Sequence, residues 1–91
     1  MLSEAARTDL KNIYSFGYER FGEQQAERHC DGLIIGFEDI AKSPLRYQGV
    51  PEYGVDYHRC VYISESIYLR VVGKRVEIMA VIVKRDNLTR F

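Results

Sequence analysis

Residues 57–83 read YHRCVYISESIYLRVVGKRVEIMAVIV, and this stretch decides the fold. Three runs within it, Tyr57–Ser64, Ile67–Val72 and Val76–Val83, are rich in tyrosine, valine and isoleucine. β-Branched and aromatic side chains fit a pleated, half-buried surface, so each run is predicted as a strand. The pairs Glu65-Ser66 and Gly73-Lys74 between them are short enough for two-residue hairpin turns. Gly73 suits the first central position of a type II′ turn, which needs a positive φ. Three strands joined by tight turns make an antiparallel meander. Side chains two apart share a face. In the last run, strict alternation puts Ile78, Ala80 and Ile82 on one face and Met79, Val81 and Val83 on the other. Both faces are apolar. One needs helices; the other needs a cover, either from the loop before the strands or from another chain.

Working outward, residues 43–56 (SPLRYQGVPEYGVD) hold both prolines and two glycines, a loop composition. Upstream lie two stripes of helical period. Ser3 is the predicted N-cap of the first, with Glu4 at the positive end of its dipole. Ala6, Leu10, Ile13, Tyr14, Gly17 and Phe21 form its apolar stripe, and Gly22 ends it. Ala26, Cys30, Leu33, Phe37, Ile40 and Ala41 form the second, which stops before Ser43-Pro44 because proline disfavours helix in the preceding residue. Two helices joined by about two residues run antiparallel as a helical hairpin. The fold class is therefore α+β: a helical hairpin packed on a small antiparallel β-sheet, in one domain over residues 1–91. Two apolar residues fall off the stripes. Phe16 does so in the first helix, and Ile35 in the second stands among Arg28, Asp31, Glu38 and Lys42. Isolated apolar residues are common on surfaces, so they are either ordinary or anchors for a partner.

Composition narrows the function. Of 91 residues, 46% are hydrophobic, with 7 Tyr and 4 Phe, which excludes a disordered chain. No stretch approaches the roughly 18 apolar residues of a membrane span, and Met1-Leu2-Ser3-Glu4 lacks a signal segment, so a cytoplasmic location is expected. Cys30 and Cys60, without a CxxC spacing, read as reduced thiols. The formal net charge is zero, which disfavours a general nucleic-acid binder. The charge is uneven: residues 1–57 hold 6 basic and 10 acidic residues, and residues 58–91 hold 7 and 3. Oppositely charged halves can steer different partners.

No phosphate-binding glycine loop, HExxH or zinc spacing is present, and no cofactor or metal is expected. His29 and His58 are the only histidines. Each lacks an orienting carboxylate in sequence, so both read as structural. The carboxylates of Glu38 and Asp39 lie on a polar helix face. The basic residues Arg59, Arg70, Lys74, Arg75, Lys84 and Arg85 are more informative, since all fall on strands or their ends. Tyr57 shares a face with Arg59, and Tyr68 with Arg70. Cross-strand pairing in a suitable register makes a Tyr/Arg patch for a negatively charged partner. Alternatively, the arginines pair with helical-hairpin carboxylates as surface salt bridges.

The order of these motifs resembles a known family. Leu2-Ser3-Glu4-Ala5-Ala6-Arg7-Thr8-Asp9-Leu10-Lys11-Asn12-Ile13-Tyr14 is similar to the first helix of ParE-type toxins. Phe21-Gly22-Glu23-Gln24-Gln25-Ala26-Glu27-Arg28 resembles their FGxxQAxxY turn, with His29 at the tyrosine position. Ile40-Ala41-Lys42-Ser43-Pro44 resembles the LAxxP helix end, Gly54 with Tyr57-His58-Arg59 the start of the second strand, and Ile67-Tyr68-Leu69-Arg70 the IxYR strand. Val76-Glu77-Ile78 opens the last one. The resemblance implies the RelE/ParE superfamily fold and the toxin half of a bacterial type II toxin–antitoxin pair. It implies DNA gyrase as target, bound by protein–protein contact without catalysis, and neutralisation by a ParD-like antitoxin. On that reading Tyr57, Arg59, Tyr68, Arg70, Lys84 and Arg85 are target-binding candidates. Phe16, Ile35, Met79, Val81 and Val83 are antitoxin-binding candidates, since a segment that folds on binding needs apolar anchors. Direct nucleic-acid or membrane binding is not expected. The family's usual strand before the first helix is represented only by Met1-Leu2. The alternative is a RelE-like ribosome-dependent mRNA endonuclease. Lys84-Arg85-Asp86 followed by Phe91 resembles a RelE-type ending, with phenylalanine at the catalytic tyrosine position.

Overall fold

The computed structural model describes residues 1–62 and 65–83. Helix α1 (Glu4–Phe21) and helix α2 (Glu23–Lys42) form the hairpin. A 3-10 turn (Pro44–Arg46) leads into strands β1 (Gln48–Gly49), β2 (Tyr57–Tyr62), β3 (Glu65–Val72) and β4 (Arg75–Val83). The sheet order is β1-β2-β3-β4, antiparallel throughout. The predicted α+β architecture is thus observed. The loop additionally contributes the two-residue edge strand β1, too short to leave an alternation signal.

Ser3 joins the helices to the sheet. Its hydroxyl accepts from the Ala6 N–H at 3.0 Å, capping α1, and donates to the Met79 carbonyl at 3.0 Å. Its own N–H donates to the Ile78 carbonyl at 2.9 Å, and the Ile78 N–H donates to Met1 at 2.8 Å. Leu2 makes an isolated parallel bridge to Ile78, along the outer edge of β4. Further along that edge, the Asp9 carboxylate accepts from the Val81 N–H at 2.9 Å.

One residue, Gly22, connects the helices, with φ 93° and ψ 171°. Its N–H donates to the Tyr18 carbonyl at 3.0 Å, and its carbonyl accepts from the Ala26 N–H at 3.1 Å. A region of backbone space open almost only to glycine thus ends one helix and begins the next. The helices are close at this end: a Cβ on Gly17 would lie 3.6 Å from that of Ala26. Along the middle of α2, Gly32 and Gly36 leave room for the Tyr62 ring. A Cβ at Gly32 would lie 2.6 Å from the Tyr62 hydroxyl.

The core is formed by Ala6, Leu33 and Ile40 from the helices with Ile67, Leu69, Ile78 and Val81 from β3 and β4. Each large aliphatic side chain fully withdrawn from water contributes about 1.5–3 kcal/mol. Two stripe members are exposed: Ala41, and Phe21 at the hairpin tip, which is 68% exposed.

Two strand expectations need correction. Glu65 and Ser66 are not a turn; they pair with Tyr62 and Val61 inside the ladder. Glu65 is tolerated there because His29 of α2 meets it on the helix side at 2.7 Å. The alternation in β4 is also broken. Leu69 pairs with Ile78 but Tyr68 with Ala80, so Met79 is an extra residue, a β-bulge. Ile78, Val81 and Val83 consequently face the helices, and Ala80 and Ile82 face away.

Candidate functional site

The sheet face opposite the helices carries the predicted patch. Tyr57 pairs with Arg70, and Arg59 with Tyr68. The four therefore alternate as a two-by-two lattice, the register that the patch required. The lattice extends sideways: Gln48 pairs with Arg59, and Glu77 with Arg70. Arg70 donates to the Glu77 carboxylate at 2.7 Å, which holds the guanidinium pKa above its ordinary value. Among the described residues, Arg59 donates only to a neutral acceptor, the Gln48 side-chain carbonyl, at 3.2 Å. The Nε atoms of both arginines are buried without an acceptor, so their terminal nitrogens carry the polar contacts. The carboxylate partner of Arg70 thus comes from the sheet and not from the helical hairpin. Tyr53 of the loop packs edge-on against Tyr68, with ring centroids 5.4 Å apart. This turn is held by the Val50 N–H donating to Tyr57 at 3.0 Å and by Gly54, where a Cβ would strike the Tyr57 ring at 2.7 Å. The loop reaches no further: Val61 and Ile82, both facing away from the helices, stay 53% and 38% exposed.

A second feature is a groove of about 540 Å³ between the two helices and the end of β4. Ile13, Phe16, Phe21 and Ala26 supply its apolar wall, and Asp9, Asn12, Gln25, His29 and Glu65 its polar positions. Arg20 lies over the Phe16 ring at 4.9 Å. The five apolar anchors expected from sequence do not form one surface. Phe16, Val81 and Val83 line the groove, but Val81 is 3% exposed and belongs to its floor. Met79 is displaced by the bulge. Ile35 is 58% exposed on the outer side of α2 and is not part of the groove. Sequence reasoning missed Glu65 and His29 as groove residues. The signal was a carboxylate inside a strand-forming run, which calls for a partner on another element.

The titratable groups with chemical potential are otherwise engaged. His58 donates from Nδ1 to the Tyr47 carbonyl at 3.1 Å and faces the helices, a structural tie. Burial pushes the Cys30 thiol up from its ordinary value, with Asp31 and Glu65 adding to the effect. Burial also pushes the Cys60 thiol up, against an opposing pull from Arg46. Both are free thiols. Raised thiols are poor nucleophiles because the thiolate is the reactive form. Among the described residues, no group of three or more His, Cys, Asp or Glu is placed to hold a metal ion, and no helix is long and apolar enough to cross a membrane. Lys84 and Arg85 lie outside the described residues.

Comparison with known proteins fits this architecture. A family model described as the ParE toxin of the type II toxin–antitoxin system parDE matches residues 1–88. Toxin ParE1 of Caulobacter vibrioides is 35% identical over 86 residues, covering 94% of this chain and 88% of that protein. Toxin ParE1 of Mycobacterium tuberculosis is 26% identical over 91 residues, covering 99% and 93%. A solved structure described as the chromosomal ParDE TA system from P. aeruginosa superposes with a TM-score of 0.77 at 18% identity, covering 90% of each chain. At that identity it speaks for the fold alone.

Proposed function

We propose, given that this chain belongs to the ParE toxin family of type II toxin–antitoxin systems, that it acts by docking on DNA gyrase. In this reading no bond is made or broken by the toxin's own side chains. The lattice of Tyr57, Arg59, Tyr68 and Arg70 on the open sheet face carries the proposal. It presents rigid aromatic and guanidinium groups, the residue types that dominate interface energetics. His58 and the two thiols support it. His58 is tied to a backbone carbonyl, and both thiols are held up by burial. None of these three is poised as a general base or nucleophile.

A ParD-like antitoxin neutralises the toxin by laying an amphipathic segment into the groove at Phe16 and Phe21. The exposed Phe21 ring and the half-buried Phe16 ring there offset the ordering entropy of a segment that folds on binding. Purified gyrase assayed for supercoiling with increasing amounts of this chain tests the target. Inhibition with accumulation of cleaved DNA is expected at micromolar toxin. Full supercoiling under those conditions, with mRNA cleaved on ribosomes instead, would refute the docking reading in favour of a RelE-like nuclease.

A further inference from the structure

Resting on the docking mode above, we infer that Arg59 is the anion receptor of the open sheet face, and that its ligand is a carboxylate on an acidic, extended segment of the target protein. The two lattice arginines are not equivalent. Arg70 is already paired with Glu77 at 2.7 Å. Arg59 is held by a neutral amide at 3.2 Å, and no carboxylate among the described residues offsets its charge. Arg75 lies two rungs away, at the exposed β3–β4 turn and beyond Glu77. An ionised acceptor makes a stronger bond to a guanidinium than an amide does, so a carboxylate displaces or shares the Gln48 contact.

The neighbouring rung identifies the class of partner. Along the strands, the rung Arg59–Tyr68–Ala80 is followed on the same face by Val61–Ser66–Ile82. Same-face residues two apart in a strand lie about 7 Å from each other. The face therefore presents a cation and, one rung on, the exposed apolar pair Val61 and Ile82. An extended peptide with a carboxylate and an apolar side chain two residues apart matches that spacing. A phosphate backbone does not, because it meets apolar side chains where its next charge falls. The chain's zero net charge adds no general attraction for nucleic acid.

The test is an NMR titration of the isotopically labelled full chain, following the Arg59 Nε–H and the amides of β2 and β3. The probes are the peptide Gly-Glu-Ala-Val-Gly, its glutamine analogue, and an RNA of eight uridines. The acidic peptide should shift Arg59 and Val61, and its glutamine analogue should bind roughly tenfold more weakly, as expected for loss of a charge-assisted bond. R59Q should lose a similar factor while R28Q, on α2, binds as wild type. E77Q should bind several-fold more tightly, because it releases Arg70. RNA binding in preference to the peptide, equal binding of the glutamine analogue, or unchanged binding by R59Q would overturn the inference. The gyrase assay separates the two readings. If wild type inhibits supercoiling and R59Q inhibits equally, only the role of Arg59 fails; if wild type does not inhibit, the docking reading fails.

Discussion

Replacing Gly22 by alanine isolates the backbone cost of the helical hairpin. Gly22 sits at φ 93° and ψ 171°, and a Cβ there would meet nothing within 4 Å. No steric contact contributes, so any loss comes from the dihedral angles themselves. Non-glycine residues in such sparsely populated regions cost of the order of 1–3 kcal/mol. The variant also loses unfolded-state entropy, which returns about 0.4–1 kcal/mol. A net loss of about 1–2 kcal/mol is expected. For a domain of this size that corresponds to a fall in Tm of roughly 4–16 °C. Gly49→Ala is the matched control: its Cβ also meets open space, but its φ is not in the left-handed region. It should be neutral or slightly stabilising. Gly73, at φ 60°, should fall between the two. Urea unfolding of the three variants, with unchanged m-values, measures the series. A Gly22→Ala protein as stable as wild type would refute the reasoning, since it would show that the hairpin tolerates an ordinary residue at its single linking position.

Two further outcomes follow from packing and burial. Gly32→Ala should destabilise by up to about 2 kcal/mol, an overpacking cost of about 1–3 kcal/mol from a Cβ 2.6 Å from the Tyr62 hydroxyl, less the roughly 1 kcal/mol that alanine gains over glycine inside a helix; adding Tyr62→Phe should recover part of the overpacking cost in a double-mutant cycle of denaturant midpoints. Alkylation of Cys30 and Cys60 by iodoacetamide should inflect at a higher pH than that of a free thiol, because burial favours the protonated form; peptide mapping against pH would show it, and an inflection below that of cysteine in the unfolded chain would contradict it.

Much of the fold was legible because each element carries its own local signal. Ser3 and Gly22 mark the helix ends through backbone chemistry that acts within one turn, and both fall where the sequence places them. The Tyr57–Arg70 and Arg59–Tyr68 pairs follow from alternation once the strands are in register. What escaped were features decided by tertiary partners. The bulge at Met79 leaves no mark in a uniformly apolar run, yet it moves Val81 and Val83 to the helix side and splits the expected anchor set. Glu65 reads as a turn residue until His29, thirty-six positions earlier, is brought against it. The neutral partner of Arg59 and the acidic partner of Arg70 depend on strands β1 and β4, and periodicity does not reveal which arginine is paired with a carboxylate.

The outer edge of β4 bears on self-association. An open strand edge is a template on which a second molecule can add its own strand and begin a fibre. Here Met1–Ser3 occupies the first half of that edge, and the Asp9 carboxylate takes the amide of Val81 beyond it. A neighbouring copy would have to strip away a charged side chain and three residues of main chain before it could pair. A bacterial toxin that meets its antitoxin in the crowded cell is thus shielded along this border from sticking to itself.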